Sequence, residues 1–290
     1  MFLFKISLPL FLVGLALQGC SGGDSSDGPN PDLVAEVNMD TVTEEDAGPE
    51  TEVVPQDAAA GTIDMNGVWA QVQVVATQAD APVIGLIKTR SVAVLKYDME
   101  QTGSELLMHE EVCDLRLEPD SNLTVTIVPD AFIQALPHVS KPAVLDLAVE
   151  PPTLYQPPFA ELHGVEMDDP MNDPMPTSAD DPRVKDLDGD GNPGLTIYVG
   201  GIIDGALYVI QRNKIALDGA FQGPDRVAGL MQYEQEQVVL GSDNQLLSDN
   251  PPISSVDPDV EKTFFISVRM PDGTTCEDIL AAGDELFDLD

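Results

Sequence analysis

The sequence predicts a mainly β protein: an antiparallel β-barrel or sandwich with a short C-terminal helix, following a disordered acidic tether. Three observations predict it. From Gly67 onward, apolar residues recur at every second position in several short runs. Gly-containing turn dipeptides separate many of these runs. Residues 21–60, by contrast, hold eleven acids and no Lys or Arg. Side chains alternate between the two faces of a strand, so a period of two marks a strand buried on one side.

The chain opens with Met1 to Lys5, carrying one positive charge, and an apolar stretch Ile6 to Leu17. That stretch has the length of a signal-peptide core and falls short of the ~20 residues a spanning helix needs. It closes on Leu17-Gln18-Gly19-Cys20, which resembles a bacterial lipoprotein lipobox. The resemblance implies that residues 1–19 are removed and that Cys20 carries lipid. It also implies, from the non-Asp Ser21, an outer-membrane destination in an exported compartment. Gln18 departs from the small or aliphatic residue usual at its position. The implied partner is the membrane, through the anchor. Residues 20–60 follow as a lipidated linker: too charged and too poor in aromatics to offset ordering entropy, and kept extended by like-charge repulsion.

Residues 61–290 read as the β domain. Val68, Ala70, Val72 and Val74 alternate with Trp69, Gln71, Gln73 and Val75, the pattern of a half-buried strand. Ala93, Leu95, Tyr97 and Met99 oppose Lys96, Asp98 and Glu100; Thr102-Gly103 turns into a run ending Cys113, Leu115 and Leu117. Leu123, Val125 and Ile127 form the next strand and are expected to point inward, as are Ala93 and Leu95. Later strands are read at 195–199, 206–211, 237–240 and 263–269. Asp204-Gly205, Asp218-Gly219 and Asp272-Gly273 are hairpin signals, since Gly tolerates positive φ. Pro-rich stretches at 150–158 and 249–258 break the β-pattern, and residues 164–194 form an acidic loop insertion. Helix is expected at 130–136 and at 276–287, the latter capped by Thr274 or Thr275 with Glu277 and Asp278 in its first turn. With Cys20 assigned to lipid by the lipobox resemblance, Cys113 and Cys276 are left to form a disulfide, or else stay as two buried thiols.

One motif carries chemistry. Asp186-Leu187-Asp188-Gly189-Asp190-Gly191-Asn192 sets acids at alternate positions before glycine, which converges several oxygens on one hard cation. It resembles the calcium loops of EF-hands, dockerins and thrombospondin type 3 repeats. By that resemblance Asp186, Asp188 and Asp190 are side-chain ligands of a structural Ca²⁺, and Asn192 offers its carbonyl. Ile197 stands where an EF-hand has its bidentate Glu, and Pro193 where it has an aliphatic residue, so a further ligand must come from elsewhere. Asp173 and Asp181, just upstream, are the first candidates; a solvated acidic turn without metal is the alternative. His109, Glu111 and Cys113 share one strand face, but no second His or Cys pair accompanies them to make a zinc site.

The net charge of −38 excludes nucleic acid as a partner. No nucleophile elbow, His-Glu-x-x-His, phosphate-cradling loop or Cys-x-x-Cys is present, so the chain reads as non-catalytic. Gly67-Val68-Trp69 resembles the Gly-x-Trp signature of lipocalins, calyx-shaped barrels that bind small apolar ligands. Two functions follow. One is a lipid-anchored envelope protein with a calcium-stabilised β domain and an unidentified partner. The other is a lipocalin-like carrier. The barrel interior discriminates between them: filled for the first, a cavity of ~300–1,000 Å³ for the second.

Overall fold

The computed structural model describes residues 63–81, 85–120, 124–201, 204–249 and 253–289. The segments expected as signal peptide and acidic tether, with Cys20, and Leu123 lie outside them. In chain order the elements are β1 (Gly67–Ala81), β2 (Gly85–Thr102), β3 (Glu105–Pro119), β4 (Thr124–Ile127), α1 (Asp130–Ala135), β5 (Val139–Asp146) and β6 (Thr153–His163). They continue with β7 (Leu195–Gly201), β8 (Gly205–Phe221), β9 (Arg226–Ser242), α2 (Gln245–Asp249), β10 (Ile253–Val256), β11 (Phe264–Arg269) and α3 (Cys276–Ala282).

The strands close into an antiparallel barrel rather than a sandwich. The ring runs β1-β2-β3-β5-β6-β8-β9-β11 and returns to β1, each neighbour hydrogen-bonded to the next. Closure removes the open edges that a sandwich would leave. The other three strands lengthen the wall. β7 pairs with β8 beyond the end of β6 and carries β4 on its far side, while β10 pairs with β1 beyond the end of β11.

One end of the barrel is packed solid. Trp69, Tyr97, Met99, Leu106, Met108, Leu154, Leu217, Phe221 and Phe265 meet there, all buried. Burying each such side chain stabilises by roughly 1.5–3 kcal/mol. Arg269 lies over the Trp69 ring at 4.6 Å from its centroid, and its guanidinium donates to the Asn66 carbonyl (2.9 Å) and to the Asp225 carboxylate (2.8 Å). The Trp69 indole donates to the Met65 carbonyl at 2.9 Å. The segment before β1 is thereby tied to the strand that completes the ring.

The outer face of β1 is covered as well. Ala70, Val72 and Val74 pack with Val92 and Val94 against Ile279 and Phe287 from the C-terminal segment. β1 is therefore buried on both faces rather than half-buried, because its Val row meets α3 while its Trp/Gln row faces the interior. Cys113 and Cys276 are joined as a disulfide, with Cα atoms 5.2 Å apart, and pin α3 to β3. Thr275 is the cap: its Oγ1 accepts from Asp278 N–H (3.3 Å), and the Asp278 carboxylate accepts from Thr275 N–H (2.9 Å).

Several local expectations are corrected. Gly219 lies inside β8, paired with Gly229 of β9, and makes no hairpin. A Cβ on Gly219 would stand 2.5 Å from Phe265 Cζ, so the glycine admits that ring into the packed end. Asp272-Gly273 leads into α3, not into a second strand. Val125 and Ile127 are 47% and 54% exposed; on the short β4 it is Thr126 that faces inward. The first Pro-rich stretch is partly strand: β6 contains Pro157 and Pro158 at a break in its register with β8.

Candidate functional site

The packed end accounts for half of the barrel. The other half encloses a cavity of about 780 Å³. Its walls are Val75, Ile87, Ala93, Leu115, Leu117 and Val199 among others, and Phe132 of α1, Leu136 just after that helix and Leu247 of α2 line it as well. Leu246 lines it while remaining 61% exposed, so the cavity reaches the surface beside α2.

Two interruptions of strand register build these walls. In β3 the partners of Val94 and Leu95 are Asp114 and Val112, which leaves Cys113 unpaired as a bulge. Up to the bulge the even-numbered Leu106, Met108 and Glu110 face inward; beyond it the odd-numbered Leu115 and Leu117 do. The same extra residue swings Cys113 outward to meet Cys276. In β6 the two prolines act likewise. Leu154 and Gln156 face inward before them, and Phe159, Glu161 and His163 line the cavity after them. A residue without a backbone N–H belongs at such a bulge, where no ladder bond is lost.

Where cavity meets packed core, the lining turns polar. Lys141 of β5 is fully buried and donates to Glu110 at 2.6 Å and to Glu161. Its ammonium also lies 5.7 Å from the centroid of the Phe159 ring. The Tyr97 hydroxyl donates to Glu110. Burial pushes the Glu110 carboxyl up, opposed by Lys141. Burial works against the Lys141 ammonium, but Glu110 and Glu161 outweigh it and leave that group above the usual lysine value. Burial, then the charge of Glu110, raises Tyr97 well above the ordinary phenol range, so it stays a donor. Tyr233 is raised too, by burial and then Glu161; its hydroxyl donates to Asn213 Oδ1 at 3.0 Å.

Glutamines complete this floor. Gln73 Nε2 donates to Gln71 Oε1 at 2.7 Å, and Gln71 Nε2 to Ser267 Oγ at 2.7 Å. Gln211 Nε2 donates to Gln237 Oε1 at 2.6 Å. His163 is buried edge-on to Phe132, with ring centroids 6.1 Å apart, and its Nε2 lies 3.9 Å from Glu161. Burial holds its imidazole below the ordinary value, against the pull of Glu161. His163 Nδ1 has no hydrogen-bond partner among the described residues. Sequence reasoning missed this constellation. The available signal was a charge set within an inward apolar row: Glu110 between Met108 and Val112, and Lys141 between Val139 and Ala143.

The acidic loop forms a second locality, at residues 164–194. Its neck is two crossing glycines: a Cβ on Gly194 would stand 2.1 Å from the Val209 carbonyl, and Gly164 and Gly194 both have positive φ. Arg212 of β8 anchors the loop by donating to the Asp173 carbonyl at 2.6 Å. Asp186, Asp188 and Asp190 come together, each offering an oxygen within 4.8 Å of the others. Backbone amides meet part of this charge. Asp186 accepts from the N–H of Asp190 (3.1 Å) and Gly191 (2.9 Å), and Asp188 Oδ2 accepts from Thr196 N–H (2.9 Å). Asp188 Oδ1 is buried without a partner among the described residues. Asn192 donates through its side chain to Asp190 at 3.1 Å. Asp173 and Asp181 stand apart from the cluster. Asp173 accepts from Asp169 N–H (2.9 Å), and Arg183 grips Asp181 at 2.8 and 3.0 Å, drawing its carboxyl down to about 2.

The three residues of the zinc pattern are committed elsewhere. His109 bonds Ser140 (2.8 Å), Glu111 pairs with Lys96 (2.8 Å) and Cys113 is in the disulfide. No helix among the described residues is long and apolar enough to cross a membrane. Comparisons with known protein families, with curated proteins and with solved structures give no match.

Proposed function

We propose that this chain is a lipid-anchored envelope protein whose barrel binds a small, largely apolar molecule. The observation that carries the reading is the cavity of about 780 Å³ inside a barrel packed shut at its other end. That volume lies within the ~300–1,000 Å³ of small-molecule sites, and its lining has their composition: aliphatic walls with a few convergent polar groups. A barrel serving only as a scaffold gains nothing from such a void, since each unfilled core position forfeits dispersion contacts. The Gly67-Val68-Trp69 resemblance to lipocalins points the same way, with Trp69 at the packed end. The lipobox supplies the anchor in this reading, and residues 21–60 the spacer.

Titration with an environment-sensitive apolar dye tests it. The chain is expected to bind the dye in the micromolar range, and Ala93→Trp, which fills the cavity from β2, to abolish that binding without loss of the fold. A wild-type chain that leaves the dye unbound overturns the proposal.

A second reading concerns the loop, and the proximity of Asp186, Asp188 and Asp190 with the orphaned Asp188 Oδ1 supports it. The three acids form a structural Ca²⁺ site. Its affinity falls at the weak end, ~10⁻⁴–10⁻³ M, as for other extracellular modules.

A further inference from the structure

We propose that the cavity selects an amphiphile with a cationic nitrogen head group, its hydrocarbon tail among the apolar walls and its head against Glu161 and Glu110. This rests on the reading of the barrel as a binding cavity and names the chemistry of its occupant.

Counting charge on the floor leads there. Among the described residues lining the cavity, Glu110 and Glu161 carry the formal charges, and no Lys or Arg joins them. Lys141 stands behind them, fully buried, and is spent on its own neighbours. An ammonium has three donors. Two are directed at Glu110 and Glu161, and the Phe159 ring face meets the cation as well. One buried ammonium against two carboxylates leaves a negative charge uncompensated in a poorly solvated place, which is unfavourable unless a positive group or a proton meets it.

The remaining groups fit a donor-rich head. Gln235 lines the same cavity and donates through its amide nitrogen to Tyr233, which leaves its amide oxygen to accept. The Asn213 and Gln237 oxygens each accept one bond and keep a second lone pair, and His163 Nδ1 has no partner among the described residues. An anionic head would meet two carboxylates and find no free cation among the described residues. A neutral head would leave the spare charge as it was. At longer range, a chain of net charge −38 raises the local concentration of cations and repels fatty acids.

Calorimetric titration of the purified chain with dodecylamine, dodecanol and dodecanoate at neutral pH separates the outcomes. A charge-assisted contact at the head predicts dodecylamine binding about ten- to a hundredfold tighter than dodecanol, with dodecanoate weakest. Glu161→Gln should shrink the advantage of the amine over the alcohol, and a melting curve on the same variant shows that it is folded. Dodecanol binding as tightly as dodecylamine, or dodecanoate more tightly, overturns the head-group assignment and leaves the apolar cavity standing. If none of the three binds, the cavity reading falls with it.

Discussion

Lys141 has no exposure, two carboxylate partners and a place on the inner face of a barrel strand. A lysine there survives because its neighbours outweigh the cost of burying it, and the dependence is mutual. Removing the ammonium would leave Glu110 and Glu161 facing each other across an apolar wall. Lys141→Met is therefore expected to cost about 3–5 kcal/mol, the range for breaking a buried ion pair from one side, as measured by urea unfolding. His163 makes the pH-dependent counterpart. Its neutral form is favoured by burial and by the Lys141 charge, and opposed by Glu161 and by a hydrogen bond with Gln211. A histidine held below its ordinary value of 6.5 contributes stability above that pH. That contribution fades as pH falls through the folded value, because the unfolded chain takes up the proton first. Unfolding midpoints at pH 7.5 and 5.5 should fall further for the wild type than for His163→Gln. Equal slopes would show that His163 is not the group responsible.

At the scale of elements, bulges decide what the barrel presents inside and out. A single extra residue in β3 turns Cys113 out toward α3 while turning Leu115 and Leu117 in. The disulfide that results closes a sequence separation of 163 residues. Such a crosslink restricts the unfolded chain strongly, so reduction, or Cys113→Ser with Cys276→Ser, should lower stability by roughly 2–5 kcal/mol. Undocking of α3 would expose the Val72–Val74 face, and hydrogen exchange of β1 is where that would be read. A reduced protein that melts at the oxidised temperature would make the bond dispensable. The same bulges explain how far the sequence could be read. Strands with unbroken alternation, such as Ala93 to Met99, were legible with their inward face, and so was the capped helix at Cys276. The prolines of β6 read in the sequence as a break, because a strand that loses register there carries no period of two across Gln156 and Phe159. Glu161 and His163 went unnoticed for that reason. Val125 and Ile127 misled in the opposite sense: on a four-residue edge strand the apolar row is no guide to the interior.

Across the whole molecule, the dominant quantity is charge. With 51 acids against 13 Lys and Arg, self-repulsion opposes the folded state, and any added salt should relieve it. That effect has to be separated from occupation of the Asp186–Asp190 loop, which both screening and specific binding would stabilise. The two differ in their dependence on identity. Screening follows ionic strength whatever the cation, and falls off with distance between charges. A site follows the free Ca²⁺ concentration through RT ln(1 + [L]/Kd), which at ~1 mM Ca²⁺ over a site of ~10⁻⁴–10⁻³ M amounts to about 0.4–1.4 kcal/mol. Melting curves in CaCl₂ and in NaCl of matched ionic strength should both shift upward, with the larger shift in CaCl₂. Asp188→Ala takes away the carboxylate with the unpartnered oxygen while changing the net charge by one part in 38. It should cancel the excess due to Ca²⁺ and keep the rise in NaCl. Equal shifts in the two salts for the wild type would reduce the loop to a solvated acidic turn held by the backbone amides of Asp190, Gly191 and Thr196.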